Sequence, residues 1–202
     1  ARMLAVLSHI DSYAPGRGAM PDVEQRMAEV KRNPEVLGAA PFVASQALLA
    51  RGEDMKGVMV RGIVPALEPQ VTDITHGAQG EALTRLVPGE FGVVLGVELA
   101  RALGVRQGDK LTLVAPSGQV TPAGVVPRLK QMTVVGLFDS GHYEYDSSLA
   151  MLHIEDAQRI FRLEGPSGIR IKIAHMRDVR PVSRQLAAAL GNDVVVRDWT
   201  QQ

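Results

Sequence analysis

The sequence predicts an α+β fold with two subdomains, and three observations indicate it. Helix and strand patterns alternate near both chain ends, whereas the middle of the chain is mostly strand patterns separated by tight turns. No pattern repeats at a fixed period. With 202 residues, the chain is long enough for a sizeable core. We therefore expect a mixed α/β subdomain built from residues 1–55 plus 165–202, and a mostly β subdomain, 56–164, inserted between them.

The first quarter of the chain predicts a strand, a helix and a hairpin. Residues 9–13 predict a short strand. Asp22 followed by Gln25 has the spacing of a capping box, and apolar side chains then recur at helical spacing, which predicts a helix over 22–32. Two further strand patterns flank the charged turn 52–56, and this arrangement predicts a hairpin.

The rest of the chain predicts helices and strands by the same rules. Residues 65–88 have no clear period, so they predict a connection with one short helix. Helix patterns follow at 97–103, which Gly104 closes, at 155–163, and from Asp178 onwards. The sequence IRIKIAH alternates apolar and polar residues, which is typical of a half-buried strand. The other predicted strands are 91–96, 111–114, 132–137, 147–154 and 193–199.

Composition excludes several classes of function. Lys plus Arg number 22 and Asp plus Glu number 22, so there is no basic field that would attract nucleic acid. Aromatic residues make up 4% of the chain, too few to stack exposed bases. The absence of cysteine excludes disulfides and thiolate sites. No apolar run reaches the length of a membrane-spanning helix. We interpret the sequence, which does not begin with methionine, as a segment of a longer protein.

The sequence contains no specific catalytic or metal-binding motif. No histidines have the HxH, HxxxH or HExxH spacing that is common in zinc sites. GEFGVVLG does not match a phosphate-binding glycine loop, so no nucleotide cofactor is expected. We interpret the densest polar cluster, His142, Glu144 and Asp146, as a charged turn between two strands in preference to an acid/base site. No catalytic, cofactor-binding or metal-binding residue is therefore predicted.

The segment between strands 111–114 and 132–137 is the most unusual part of the sequence. A two-residue turn would suffice to join neighbouring strands, yet roughly 16 residues intervene. Prolines, among them Pro122 and Pro127, fix φ and remove backbone donors. Gly124 permits a tight reversal. These residues predict a stiff, protruding hairpin or loop with an apolar tip.

Two interpretations of this segment remain open from the residues alone. An exposed apolar tip usually has a partner, and stiffness lowers the ordering cost of binding that partner. In the alternative, the segment folds back on its own domain and buries Val125 and Val126.

Five stretches, spread over nearly the whole chain, bear a family resemblance: PGEFGVVLGVELARALGVRQGDKLTLVAPSG, TPAGVVPR, VVGLF, EYDSSLAMLHIEDAQRIF and VVVRDW. They are similar to the large periplasmic domain of lipoprotein-releasing ABC transporter permeases, the LolC/LolE family. The strand–helix–GD–strand portion is shared more widely with macrolide-exporter-type permeases. The TPxGxxP motif is narrower, and it resembles the hook by which LolC-type subunits hold the periplasmic lipoprotein carrier LolA.

The resemblance implies roles for two sets of residues. The hook, which inserts into the carrier's lipid-binding cavity, corresponds to Thr121, Pro122, Ala123, Gly124, Val125, Val126 and Pro127, followed by Arg128. A polar patch beside the hook corresponds to Thr112, Leu129 and Lys130, and Lys130 is the one cationic residue of the three.

The resemblance also implies a non-catalytic transporter domain without a cofactor. A separate cytoplasmic ATPase subunit (LolD) hydrolyses ATP, and transmembrane helices outside this sequence relay the motion. The domain, in the periplasm at the inner membrane of a Gram-negative bacterium, passes a lipoprotein to LolA alongside a second permease subunit. The alternatives are a macrolide-exporter-type permease domain that binds a periplasmic adaptor, a cell-division-type permease domain, and a stand-alone periplasmic hydrolase that uses the His142 cluster.

Overall fold

The computed structural model of this chain describes residues 9–15, 18–72, 78–191 and 194–198. These residues contain nine β-strands and six α-helices, and this mixed content confirms the predicted fold class. The strands are β1 (His9–Tyr13), β2 (Val36–Arg51), β3 (Asp54–Ile63), β4 (Gly92–Gly96), β5 (Lys110–Thr121), β6 (Gly124–Phe138), β7 (Leu149–His153), β8 (Gly168–Ile173) and β9 (Val195–Asp198). The helices are α1 (Val23–Lys31), α2 (Ala78–Leu83), α3 (Val97–Leu103), α4 (Tyr143–Ser148), α5 (Ile154–Phe161) and α6 (Val179–Leu190). Among the described residues, no helix has the length and apolar character needed to cross a membrane.

The described residues group into two units whose boundaries differ from the predicted ones. Unit 1 consists of the described parts of Ala1–Phe42, Ala66–His76 and Leu163–Gln202, and unit 2 of those of Val43–Pro65 and Gly77–Arg162. The first difference arises because β2 is a single strand of 16 residues that continues from unit 1 into unit 2. No turn or linker marks this boundary, so composition gives no sign of it.

The second difference concerns residues 66–72, which the sequence assigns to the inserted subdomain and the structure places in unit 1. A β-carbon built at Gly38 on β2 would lie 2.9 Å from the carbonyl oxygen of Gln70. The backbone of this segment therefore packs directly against β2, at a distance that glycine alone allows. The contact joins residues far apart in sequence, and no local pattern predicts it.

Unit 1 is an antiparallel sheet on which two helices pack. Its strands follow the order β2 (first half), β8, β1 and β9. Helices α1 and α6 bury apolar side chains against the sheet, including Val30 and Leu186 over Ile171 and Ile10. Arg26 of α1 is 8% exposed, and its guanidinium donates to the carbonyl oxygen of Leu190 at 2.8 Å. That hydrogen bond satisfies one of the carbonyls that the end of α6 leaves without a partner within the helix.

Helix α1 forms where the apolar spacing predicts it, but without the predicted capping box. Asp22 occupies the N-cap position with φ 53°, and its side chain makes no capping hydrogen bond. Val23 and Met27 pack against the core of unit 1, and Val30 belongs to that core. Burial of one apolar face, and not the cap, therefore accounts for this helix.

Unit 2 is a mixed sheet that closes on itself. Its strands follow the order β3, β7, β4, β6, β5 and the second half of β2, and β2 pairs in turn with β3. The β3–β7 and β4–β6 pairs are parallel, whereas β4–β7, β5–β6 and β2–β5 are antiparallel. Closure leaves no long open edge. Leu95, Leu113 and Met151 are fully buried in this unit.

Helix α5 packs closely against β3 in unit 2. A β-carbon built at Gly62 of β3 would lie 2.6 Å from the β-carbon of Ala157, so glycine is what allows the helix to approach the strand. This packing fixes the direction of α5 and hence the location of its last turn, which includes Arg159.

Candidate partner-binding site

The candidate site lies at the tip of the hairpin that β5 and β6 form in unit 2. The strands pair antiparallel as far as Thr121 opposite Gly124, and Pro122 and Ala123 form the two-residue turn between them. The hydroxyl of Thr121 donates to the carbonyl oxygen of Gly124 at 2.8 Å. Gly124 has a φ of 118°, a conformation that favours glycine. Hydrogen bonding and backbone geometry thus both hold the turn in one shape.

The strands continue to the tip, which corrects the prediction of a separate excursion between two short strands. The pairing is irregular once, between the Ala115–Arg128 pair and the Gln119–Val126 pair. There residues 116–118 of β5 are opposite the single residue Pro127, and the first of them, Pro116, is also a proline. A proline lacks the N–H that a regular ladder needs, so it is tolerated where a bulge already interrupts the ladder. The prolines therefore shape a bulge and do not end the strands.

The hook segment, residues 121–127, is largely exposed. Five of its residues are exposed: Pro122, Ala123, Gly124, Val126 and Pro127. Val126 is 51% exposed. This exposure contradicts, for Val126, the alternative in which the segment folds back and buries Val125 and Val126. The side chain of Val125 lies outside what the structure describes. A rigid tip with an accessible apolar side chain is suited to contact a partner.

The three residues of the predicted patch lie on two faces of the hairpin. Side chains alternate between the faces of a strand, and residues directly opposite each other share a face. Leu129 is opposite Val114 and therefore lies on the same face as Thr112, whereas Lys130 lies on the other face. There the ammonium of Lys130 lies 4.0 Å from the ring centre of Phe91. The three side chains do not form one continuous surface.

The polar cluster around His142 has a structural use. Helix α4 occupies the stretch that was predicted as a charged turn, and β7 begins only at Leu149, two residues later than predicted. Asp146 is 4% exposed, and its carboxylate accepts hydrogen bonds from the backbone N–H and the hydroxyl of Ser140, at 2.8 and 2.7 Å. These bonds tie α4 to the chain before it, which explains the helix. Within the described part of the chain, no group of three or more His, Asp or Glu side chains could hold a metal ion.

A pocket that the sequence did not predict lies beside the base of the hook segment. Its volume is about 410 Å³, and it is lined by residues 126–130 of β6, by Phe91, and by Arg159, Ile160 and Arg162. We call it the hairpin pocket. Its lining comes from three segments that are distant in sequence, so no local motif could have revealed it.

Asp156 of α5 holds the Phe91 wall of the hairpin pocket in place. Its side chain is fully buried, and its two carboxylate oxygens accept hydrogen bonds from the backbone N–H groups of Gly89, at 2.7 Å, and Phe91, at 3.0 Å. Phe91 has a φ of 52°, which is uncommon for a residue with a side chain. The two hydrogen bonds stabilise this backbone and so place the Phe91 ring beneath Lys130.

Known proteins resemble this chain over most of its length. The sequence model of the MacB-like periplasmic core domain matches residues 2–189. The chain belongs to this family. The lipoprotein-releasing system transmembrane protein LolC of Neisseria meningitidis is 47% identical over 167 residues, which are 82% of this chain and 40% of LolC. The corresponding LolE of Haemophilus influenzae is 27% identical over 178 residues, 85% of this chain and 42% of LolE.

The fold of this MacB-like periplasmic core domain also resembles a solved structure. The periplasmic region of MacB from Actinobacillus actinomycetemcomitans gives a TM-score of 0.57 at 10% identity, covering 98% of this chain and 92% of the MacB chain. At that identity the likeness concerns the fold alone. The chain spans about two fifths of the length of its LolC and LolE relatives. The resemblance to the LolC/LolE permeases and to their wider superfamily is thereby confirmed.

Proposed function

We propose that this MacB-like domain is the periplasmic part of an ABC transporter permease that extracts outer-membrane-destined lipoproteins from the inner membrane and transfers them to the carrier LolA. The hook segment docks the carrier. The main support is the exposed turn at 121–124, held at the end of a long hairpin by the Thr121 hydroxyl and by the backbone of Gly124. The 47% identity to a LolC protein of a lipoprotein-releasing system supports the same function.

The chemistry of the hook segment suits a cavity that accommodates acyl chains. Pro122, Ala123 and Val126 present apolar surface, and no residue of 121–127 is charged. The turn is already ordered, so docking costs little conformational entropy. In this proposal residues 121–127 enter the lipid-binding cavity of LolA, and Arg128 lies at the cavity's rim.

The neighbouring patch makes the smaller contribution to docking in this proposal. Lys130 lies on one face of the hairpin, and Thr112 and Leu129 lie on the other. A partner on one face therefore meets either the cation or the other two side chains. The hook segment accordingly supplies most of the binding free energy.

The remaining parts of the proposed transporter lie outside this chain. A cytoplasmic ATPase subunit (LolD) hydrolyses ATP, and flanking transmembrane helices transmit the resulting motion to this domain in the periplasm of a Gram-negative bacterium. A second permease subunit completes the complex. The domain itself has no catalytic activity and no cofactor in this proposal, since it acts by holding the carrier and the lipoprotein.

The macrolide-exporter-type alternative is less well supported. It predicts no protruding hook at 121–128, whereas β5 and β6 extend to an exposed turn there. The hydrolase alternative needs a carboxylate available for acid/base chemistry in the His142 cluster. Asp146 is instead buried in hydrogen bonds with Ser140.

The docking role is tested by capture of LolA from the same organism on the immobilised domain. We expect Pro122→Ala and Gly124→Asp each to weaken capture by roughly tenfold or more, as is usual for central residues of an interface. Pro181→Ala serves as the matched control, because Pro181 is an exposed proline of α6 in unit 1. Deletion of 119–128 should abolish capture.

Circular dichroism of each variant separates loss of docking from loss of folding. Undiminished capture by both hook variants, with an unchanged spectrum, would contradict the docking role. Equal loss with Pro181→Ala would show that the effect is not specific to the hook.

A further inference from the structure

The hairpin pocket concentrates positive charge. Four cationic side chains line it: Arg128, Lys130, Arg159 and Arg162. The structure describes every lining residue, and none of them is acidic. Asp156, nearby on α5, accepts hydrogen bonds from Gly89 and Phe91 and does not line the pocket. The unit as a whole is not strongly basic, so this charge is a local feature.

The end of helix α5 accounts for only part of this charge. Arg159 lies in the last turn of α5 and Arg162 is its C-cap residue, where the helix dipole favours a cation. The dipole amounts to about half an elementary negative charge at a helix C-terminus. Four cations exceed that amount several-fold, so the helix terminus alone does not account for the positive charge of the pocket.

The positive charges in the pocket also oppose one another. Burial lowers the pKa of the Arg128 guanidinium, and the positive charge of Arg162 lowers it further. A bound anion would act in the opposite direction, because an opposite charge within a few ångströms favours the protonated form. An anion in the pocket would therefore favour the charged form of Arg128.

The other half of the pocket is apolar, which distinguishes it from a simple ion site. Phe91 and Ile160 contribute to the lining, together with Val126, which is 51% exposed. A free inorganic anion would leave these side chains in water. An amphiphile with an anionic group beside an apolar portion would cover them and meet the cations at the same time.

We propose that the hairpin pocket binds the phosphate group of an anionic glycerophospholipid. The guanidinium groups of Arg128 and Arg162 meet the phosphate, since arginine pairs with phosphate oxygens through two parallel hydrogen bonds. Phe91 and Ile160 cover the glycerol and the first methylenes of the acyl chains. A volume of about 410 Å³ suits a headgroup with the first part of its chains. The lining includes Val126, Pro127 and Arg128, which the proposed function also places at the carrier, but lipid binding is measured without the carrier.

Isothermal titration of the domain with short-chain lipids below their micelle concentration tests the ligand class. We expect dihexanoyl phosphatidylglycerol to bind, and zwitterionic dihexanoyl phosphatidylcholine, glycerol 3-phosphate and inorganic phosphate to bind about tenfold more weakly or worse. Equal binding of inorganic phosphate would reduce the pocket to a plain anion site. Equal binding of phosphatidylcholine would reduce it to an apolar groove, and no binding of phosphatidylglycerol would overturn the proposal outright.

Charge-neutral variants test the location of the site. Arg128→Gln and Arg162→Gln should each weaken phosphatidylglycerol binding by about tenfold, and Arg180→Gln, an exposed arginine of α6 in unit 1, should not change it. Unchanged binding in both pocket variants would refute the assignment.

No carrier is present in these titrations, so their result is independent of the docking role. If the pocket variants lose LolA capture while the unmodified domain binds no lipid, the pocket receives an acidic protein surface and the lipid proposal is wrong.

Discussion

Asp156 is the single residue on which the geometry of the hairpin pocket most depends. A fully buried carboxylate is tolerated only when hydrogen bonds replace its lost hydration, and Asp156 accepts one from Gly89 and one from Phe91. Both bonds are charge-assisted and so are stronger than those between neutral groups. They connect α5 to the chain before β4, and thereby hold Phe91 in its left-handed backbone conformation.

Substitution of Asp156 should therefore destabilise the domain. Asp156→Asn replaces one accepting oxygen with a nitrogen that cannot accept, which leaves a backbone N–H without its partner. We expect the free energy of unfolding to fall by about 2 kcal/mol, measured by urea denaturation. Asp109→Asn is the matched control, because Asp109 also accepts a backbone N–H bond, from Arg106, but its side chain is 36% exposed. Equal losses for the two variants would contradict the importance assigned to burial.

Strand β3 shows at the scale of one element how local sequence and tertiary contact differ. It contains two glycines, Gly57 and Gly62, which the sequence does not distinguish. At Gly62, a β-carbon would lie 2.6 Å from Ala157 and 3.2 Å from the backbone of Ile154. At Gly57, it would meet one atom of Leu48 at 4.0 Å. The first glycine is required by the packing of α5, and the second is not.

Alanine substitutions along β3 test this difference. Gly62→Ala should lower the free energy of unfolding by about 1–3 kcal/mol, because α5 must shift to admit the methyl group. Gly57→Ala should change it by less than about 0.5 kcal/mol, since the added methyl group makes one ordinary van der Waals contact and alanine is not strained in a strand. Thermal or urea unfolding of both variants measures the effect. A larger loss for Gly57→Ala than for Gly62→Ala would be inconsistent with the packing of α5 on β3.

On the scale of the whole molecule, each unit has a hydrophobic core of its own. One buried cluster consists of unit 1 residues throughout, among them Ile10, Ile171 and Leu186. Unit 2 buries Leu95 and Met151 in its closed sheet. Core side chains stabilise mainly the residues that they contact, and local opening follows such cooperative groups.

Paired core truncations test whether the units open separately. Ile171→Ala should cost about 3 kcal/mol and raise amide hydrogen exchange mainly in β1, β8 and α6. Leu95→Ala should cost a similar free energy and raise amide hydrogen exchange mainly in β4, β6 and β7. Hydrogen exchange read by mass spectrometry on both variants makes the comparison. If either variant raises exchange equally in both units, the molecule opens as one cooperative body.

The sequence by itself determined those features that depend on neighbouring residues. Proline and glycine between two strand patterns predicted a stiff tip, because proline fixes its own φ and glycine permits a positive φ. The structure has a tight turn there, with Gly124 at positive φ. Apolar spacing placed α1 within one residue at each end. The TPxGxxP motif marked the candidate site for the same reason, since all its residues are consecutive and lie at one hairpin tip.

The tertiary structure decided everything that depends on residues far apart in the chain. The unit boundary inside β2 and the hairpin pocket both follow from which strand pairs with which, and in what register. A shift of one residue in register would move every side chain to the opposite face. For strands that are far apart in the chain, nothing local fixes that register, because it results from burying apolar side chains from many segments at once. The exposed turn at 122–123 could therefore be predicted from consecutive residues, whereas the cationic pocket beside it could not.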